Sequence, residues 1–207
     1  MYLTRLFPKV LGTFYNENYN FDKKKLIDKC YDIQKVTKSG GDEWVSKSTY
    51  NTIGTKNLYD EIDFKDLLMW IDNCIIEYCK SLNFTSNIIS KSSWFNIYRK
   101  GDYQEYHNHI ETDISCIYYL KGDEGSANTI FTDFDYLKHK ILVTKWTPDN
   151  SGSFTVNFKE GVLVVFKSDM LHCVEKHNLD SDRITIANNY KLGNWYKYKY
   201  GNKRSDK

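Results

Sequence analysis

From about residue 90 onward the chain breaks into short runs with strand character, and this succession restricts the fold more than any other feature. KSSWFNIYRK alternates, so that Trp94, Asn96 and Tyr98 share one face while Phe95 and Ile97 share the other. ISCIYYL, ANTIFTDF, SFTVNF, GVLVVFK and RITIANNY follow, punctuated by Gly, Asp and Asn. Before residue 90 the periodicity is helical. Leu26, Ile27, Cys30, Ile33 and Val36 fall on one face between Lys24 and Val36, and Leu67, Ile71, Cys74, Tyr78 and Leu82 form a second stripe after Asp63, which can cap it. The intervening VTKSGGDEWVSKSTYNTIGT reads as a loop with little regular structure. Two helices followed by many short strands predict an all-β core, a sandwich or barrel, with N-terminal helices packed against one sheet. The segment 135–150 (DYLKHKILVTKWTPDN) fits a lid or an insertion.

At 207 residues the chain is read as a single domain, with a mainly helical support region over 1–90, a β core over 91–192 and a basic tail over 193–207. Lys and Arg number 29 against 27 Asp and Glu, a balance that argues against a nucleic-acid partner. In the tail Trp195, Tyr196, Tyr198 and Tyr200 interleave with Lys197 and Lys199, too weak a signal to reverse this. The 5 cysteines are odd in number and form no CxxC pair, which predicts reduced thiols in a cytoplasmic protein. No apolar run approaches the ~20 residues that span a bilayer, so no membrane partner is expected.

All 5 histidines lie at or beyond residue 107. In a strand, residues two apart point to the same side, so His107 and His109 can converge on one ion. His172 is the candidate third ligand, because it follows the apolar strand GVLVVF through a short polar link. Arg183 opens RITIANNY, where Arg183, Thr185, Ala187 and Asn189 share a face. An arginine pointing into a β core is costly unless it meets an anion, and its planar fork suits a carboxylate. Thr185 can add a hydroxyl to that clamp. His139 and His177 sit among polar residues and are expected to be solvated, and Cys173 should pack away from the metal.

Trp94, Asn96, Gly101, Asp102, His107, His109, Ser115, Tyr118 and Tyr119, followed by Gly161, Phe166, His172, Val174, Arg183 and Asn189, form a pattern that resembles the iron(II)- and 2-oxoglutarate-dependent oxygenases. Within that superfamily the chain is most similar to a bacterial and phage group with an H-x-H motif, and Leu6–Pro8 also fits. The resemblance implies a double-stranded β-helix (a jelly roll, cupin-like) flanked by helices. It implies Fe(II) as metal, 2-oxoglutarate as co-substrate, and a dioxygenase, hydroxylase-type reaction with no catalytic residue beyond the metal site. CIYYL is similar to the strand of prolyl hydroxylases whose second tyrosine, here Tyr119, reaches the co-substrate. Tyr98, Asn96 and Asn189 are further candidates for that pocket.

The superfamily's usual triad pairs two histidines with a carboxylate, whereas this chain has His109 at the carboxylate position. Three neutral imidazoles leave the Fe(II) charge for the 2-oxoglutarate dianion to balance. The alternative shifts the motif by two, with Glu111 or Asp113 as the carboxylate ligand. Lys167 stands where the group commonly has proline. The alternatives in function are a cupin-like three-histidine metalloenzyme that does not use 2-oxoglutarate, and a non-catalytic ligand-binding jelly roll. The prime substrate, a protein side chain or a small molecule, is not legible, and a homodimer is an expectation drawn from sandwiches of this type.

Overall fold

The computed structural model describes residues 9–16, 21–42, 44–133 and 151–193. The Leu6–Pro8 match, the segment 135–150 with His139, and the basic tail beyond residue 193 lie outside the described residues. In chain order the elements are β1 (Gly12–Tyr15), α1 (Lys23–Val36), β2 (Tyr50–Asn51), two single 3-10 turns, α2 (Lys65–Ser81), β3 (Ile88–Tyr98), β4 (Gln104–His107), β5 (Ile114–Lys121), β6 (Thr129–Thr132), β7 (Ser153–Val156), β8 (Val162–Lys167), β9 (His172–Val174) and β10 (Arg183–Leu192).

A six-stranded antiparallel sheet has the order β1-β8-β5-β10-β3-β2, and a four-stranded one the order β4-β9-β6-β7. These two open sheets, with helices on the large one, are the double-stranded β-helix that the resemblance implies. The central strands of the large sheet are buried on both faces, which explains why GVLVVF and ISCIYYL read as nearly continuous apolar runs. Strand parity divides them cleanly. Phe95, Ile97, Cys116, Tyr118, Leu163, Val165, Ile184, Ile186 and Tyr190 join one core with the helices, whereas Ile117, Tyr119, Val164 and Phe166 belong to a second core on the other side.

Helix α1 begins at Asp22, whose carboxylate accepts the Lys25 N–H, and buries Leu26, Cys30 and Ile33. Val36, expected on that stripe, is the last residue of the helix and is 86% exposed. Helix α2 buries a broader stripe than predicted, adding Leu68, Ile75 and Cys79 to Leu67, Ile71, Cys74 and Tyr78. Asp63 does not cap it. That residue lies in the preceding 3-10 turn and pairs instead with Lys25 at 2.7 Å and Lys29 at 3.5 Å, tying the entrance of α2 to α1. Among the described residues no helix is long and apolar enough to cross a membrane. All five cysteines are free and buried.

Candidate metal centre

The centre lies between the two sheets, where β4 and β9 of the smaller sheet and the loop after β4 deliver three imidazoles. One ring nitrogen from each of His107, His109 and His172 lies within 4.8 Å of the others, and among the described residues this is the one cluster of His, Cys, Asp or Glu spaced to hold a metal ion. Strand parity is not what unites the first pair. His107 is the last residue of β4, and His109 sits in the following loop, its N–H donating to the Ser168 carbonyl at 2.8 Å. His172 opens β9, directly opposite His107 in the antiparallel register.

Two of the rings are oriented alike. His107 donates Nδ1–H to the Glu105 carbonyl at 2.8 Å, and His172 donates Nδ1–H to the Met170 carbonyl at 2.9 Å, each bonding the carbonyl two residues before it. That bond fixes the tautomer and leaves Nε2 with a free lone pair, the form in which imidazole binds a metal. His109 has no hydrogen-bond partner on its ring among the described residues. Burial lowers the pKa of all three. His107 is lowered despite the Glu105 carbonyl, His109 falls to about 3 with the neighbouring His107 adding to the burial effect, and His172 lies well below the usual range. All three are therefore neutral at pH 7. Each also has an aromatic wall: Trp44 lies 4.8 Å from His107, Trp94 5.9 Å from His109, and Phe131 stacks at 5.6 Å on His172.

The carboxylate alternatives do not reach this cluster. The chain leaves strand geometry at residue 108, so Glu111 falls in an exposed turn, and Asp113 is exposed and accepts the Leu192 N–H at 2.7 Å.

Arg183, Thr185 and Asn189 line the same cavity as the histidines, as do Tyr98 and Asn96. Arg183 is wholly buried, yet Nε, Nη1 and Nη2 have no hydrogen-bond partner among the described residues. Its guanidinium instead lies against three rings, 4.6 Å from Tyr98 and 5.4 Å from both Tyr119 and Phe158. Burial raises the Tyr98 phenol, with the guanidinium pulling partly the other way. A desolvated cation without a counter-charge costs several kcal/mol, on the order of 3–5 by analogy with broken buried pairs. An anion entering the cavity would relieve that cost.

Tyr119 is fully buried, with its hydroxyl donating to Thr129 Oγ1 at 2.9 Å and its ring 5.4 Å from the Arg183 guanidinium. Asn96 donates from Nδ2 to Thr185 Oγ1 at 3.2 Å, and Asn189 accepts from Ser115 at 2.7 Å. His177 is not solvated as expected. It is fully buried, with its Nδ1 accepting the Ala127 N–H and its Nε2–H donating to the Ser181 carbonyl at 2.6 Å, so it staples the connection before β10. Trp44, Gln104 and Phe158 were not anticipated. A tryptophan inside the otherwise polar run GGDEWVSKS was the one visible signal for Trp44.

Two open antiparallel sheets enclosing three convergent imidazoles and a buried arginine define a jelly-roll protein with a candidate metal centre. Residues 92–189 match the family described as "Putative 2OG-Fe(II) oxygenase". Among solved structures, a Pseudomonas putida prolyl-4-hydroxylase is similar over 89% of this chain and 93% of its own, with a TM-score of 0.61 at 12% identity. A Trichoplax adhaerens prolyl hydroxylase in complex with a hypoxia-inducible-factor peptide is similar over 87% and 83%, with a TM-score of 0.60 at 11% identity. The non-heme α-ketoglutarate-dependent carbocyclase SnoK of nogalamycin biosynthesis is similar over 92% and 85%, with a TM-score of 0.61 at 10% identity. No curated protein matches the chain in sequence. The sequence likeness to that family is thus carried by residues 92–189, and the solved structures share the fold of this chain.

Proposed function

We propose that this chain is a dioxygenase that binds Fe(II) through His107, His109 and His172 and 2-oxoglutarate through Arg183, and that it hydroxylates an organic substrate. The observation that carries this reading is the buried Arg183 guanidinium, without an acceptor among the described residues and lining the same cavity as the three imidazoles. A dianion with one carboxylate on that fork and its other end toward the metal would satisfy the arginine and offset the charge that three neutral ligands leave. The cupin-like alternative, with no 2-oxoglutarate, leaves this arginine without a function.

When bound, iron with 2-oxoglutarate and dioxygen supplies the oxidising chemistry, in which 2-oxoglutarate is decarboxylated to succinate and CO2 as the substrate is hydroxylated. The chain's own residues bind, orient and exclude water. The Glu105 and Met170 carbonyls keep two imidazoles in the ligating tautomer. Thr185 stands two residues from Arg183 on the same strand face, placed to add a hydroxyl to the carboxylate clamp. Trp44, Trp94 and Phe131 shield the rings from bulk solvent, which strengthens electrostatic contacts inside the cavity. The free buried thiols accord with a reducing, cytoplasmic setting. The prime substrate is of either the protein or the small-molecule class, since the similar structures include both a prolyl hydroxylase with its peptide and a carbocyclase of nogalamycin biosynthesis.

The test is an anaerobic titration of the metal-free protein with Fe(II) and then 2-oxoglutarate, followed by the visible charge-transfer band. The expected result is a band in the unaltered protein that His109→Ala loses and that requires far more 2-oxoglutarate in Arg183→Ala. Bound iron with no band would sink the proposal and favour the cupin-like reading.

A further inference from the structure

His109 differs from its two partners in how it is held. His107 and His172 are oriented through their rings, whereas the His109 ring meets no protein acceptor among the described residues. Its position is set through its backbone. The His109 N–H donates to the Ser168 carbonyl at 2.8 Å, its carbonyl accepts the Thr112 N–H at 2.9 Å, and the Ser168 N–H donates to the Asp113 carbonyl at 3.0 Å. Ser168 thus grips both ends of the loop that carries the ligand.

Behind this grip runs a chain of side-chain hydroxyls. Thr112 Oγ1 lies 3.0 Å from the His109 carbonyl and 3.0 Å from Ser168 Oγ. Ser168 Oγ lies 2.8 Å from Ser115 Oγ, and Ser115 donates to Asn189 Oδ1 at 2.7 Å. A hydroxyl has one hydrogen to give, so the direction of the chain follows. Ser115 uses its hydrogen on Asn189, so Ser168 donates to Ser115, and Thr112 shares its one hydrogen between the His109 carbonyl and Ser168 Oγ as a three-centre bond. Ser168 and Ser115 are 0% and 2% exposed, where an unmade hydrogen bond is costly. The chain crosses β8, β5 and β10 and ends on the strand that bears Arg183.

We infer that Thr112, Ser168, Ser115 and Asn189 form a positioning relay for His109, which supplies through the backbone the orientation that the ring does not receive from any acceptor among the described residues. The inference rests on the three-histidine metal site proposed above. The relay locks the ligand loop to the middle of the large sheet, so its loss loosens one of three metal ligands while leaving the others in place.

The test uses the full chain with Co(II) alone, measuring affinity by chelator competition and geometry by the ligand-field bands. A comparison is built into the fold. Ser93 donates to Asn188 Oδ1 at 3.2 Å, a buried Ser–Asn pair on the helix-facing side of the same sheet. Ser168→Ala is expected to weaken Co(II) binding about tenfold, the lower end of what partners of metal-ligating side chains contribute, and to change the band intensities. Ser115→Ala should shift both in the same direction. Ser93→Ala should lower the melting temperature comparably and leave both cobalt readouts unchanged. Wild-type affinity and bands in Ser168→Ala would overturn the relay alone. Absence of Co(II) binding by the unaltered protein would overturn the metal site and the relay together.

Discussion

Glu105 accepts the His107 ring N–H on its backbone carbonyl, and its carboxylate holds the loop whose Trp44 packs on that same ring. The carboxylate takes the Val45 N–H at 2.7 Å, the Ser46 N–H at 3.2 Å and the Gln104 amide at 2.8 Å. Burial alone would raise its pKa, but the Ser46, Gln104 and Val45 donors outweigh it and hold the group at about 2. One residue therefore brackets a metal ligand and a cavity wall by two different atoms. Glu105→Ala is expected to separate them. The backbone carbonyl survives, so metal affinity should stay within about threefold, while amide exchange across residues 44–46 should rise tenfold or more and stability fall by about 1–3 kcal/mol. Hydrogen-exchange mass spectrometry alongside metal titration checks both halves.

The histidine and carboxylate readings of the third ligand make opposite demands. His109→Ala is expected to cost at least about a hundredfold in Fe(II) affinity, and Glu111→Ala less than twofold, because Glu111 is exposed in a turn outside the cluster. Anaerobic competition with a chromophoric chelator measures this directly.

Arg183 carries an expectation about the protein without ligand. Replacing a buried, unpaired charge by an apolar side chain of similar length removes a desolvation cost, so Arg183→Met should be at least as stable as the unaltered protein. The same variant should lose the thermal stabilisation that 2-oxoglutarate confers with metal present. A melting curve with and without metal and 2-oxoglutarate distinguishes the two effects.

Alkaline pH should erode stability from the helix layer. Burial, with Glu77 adding to it, raises the Cys74 thiol to about 12, and burial, with Cys79 and Asp169, raises the Tyr78 phenol to about 12. In the unfolded chain these groups ionise first, near their ordinary values. Their contribution is therefore intact below about pH 9 and is lost as pH climbs toward 12. Between pH 9 and 10.5 Cys74 alone should account for about 1–2 kcal/mol. Urea denaturation across that interval should show the decline, with a shallower slope in Cys74→Ala.

What could be read in the chain beforehand was whatever alternation and apolar spacing encode. RITIANNY announces Arg183, Thr185, Ala187 and Asn189 on one face and Ile184 and Ile186 on the other, and β10 has that parity. The helical stripes were legible for the same reason. The misreadings come from partners distant in sequence. Asp63 looks like a cap until Lys25 and Lys29 claim it, and His177 looks solvated until Ala127 and Ser181 close around it. Trp44 reaches the site on a loop held by distant partners, with Val45 bound to Glu105 and Thr49 to the Tyr103 carbonyl.

The two-sided burial of β10 bears on how this chain can vary. One edge of the strand lies along β3 and the other along β5, and residues one apart serve opposite sides of the sheet. A single inserted residue would turn Arg183 and Thr185 toward the helices and Ile184 and Ile186 into the cavity. Change in this strand is thus confined to substitution in place or to steps of two. Insertions that alter what the cavity admits have to arise in the connections between strands, where lengthening the chain does not exchange the inside of the site for the inside of the core.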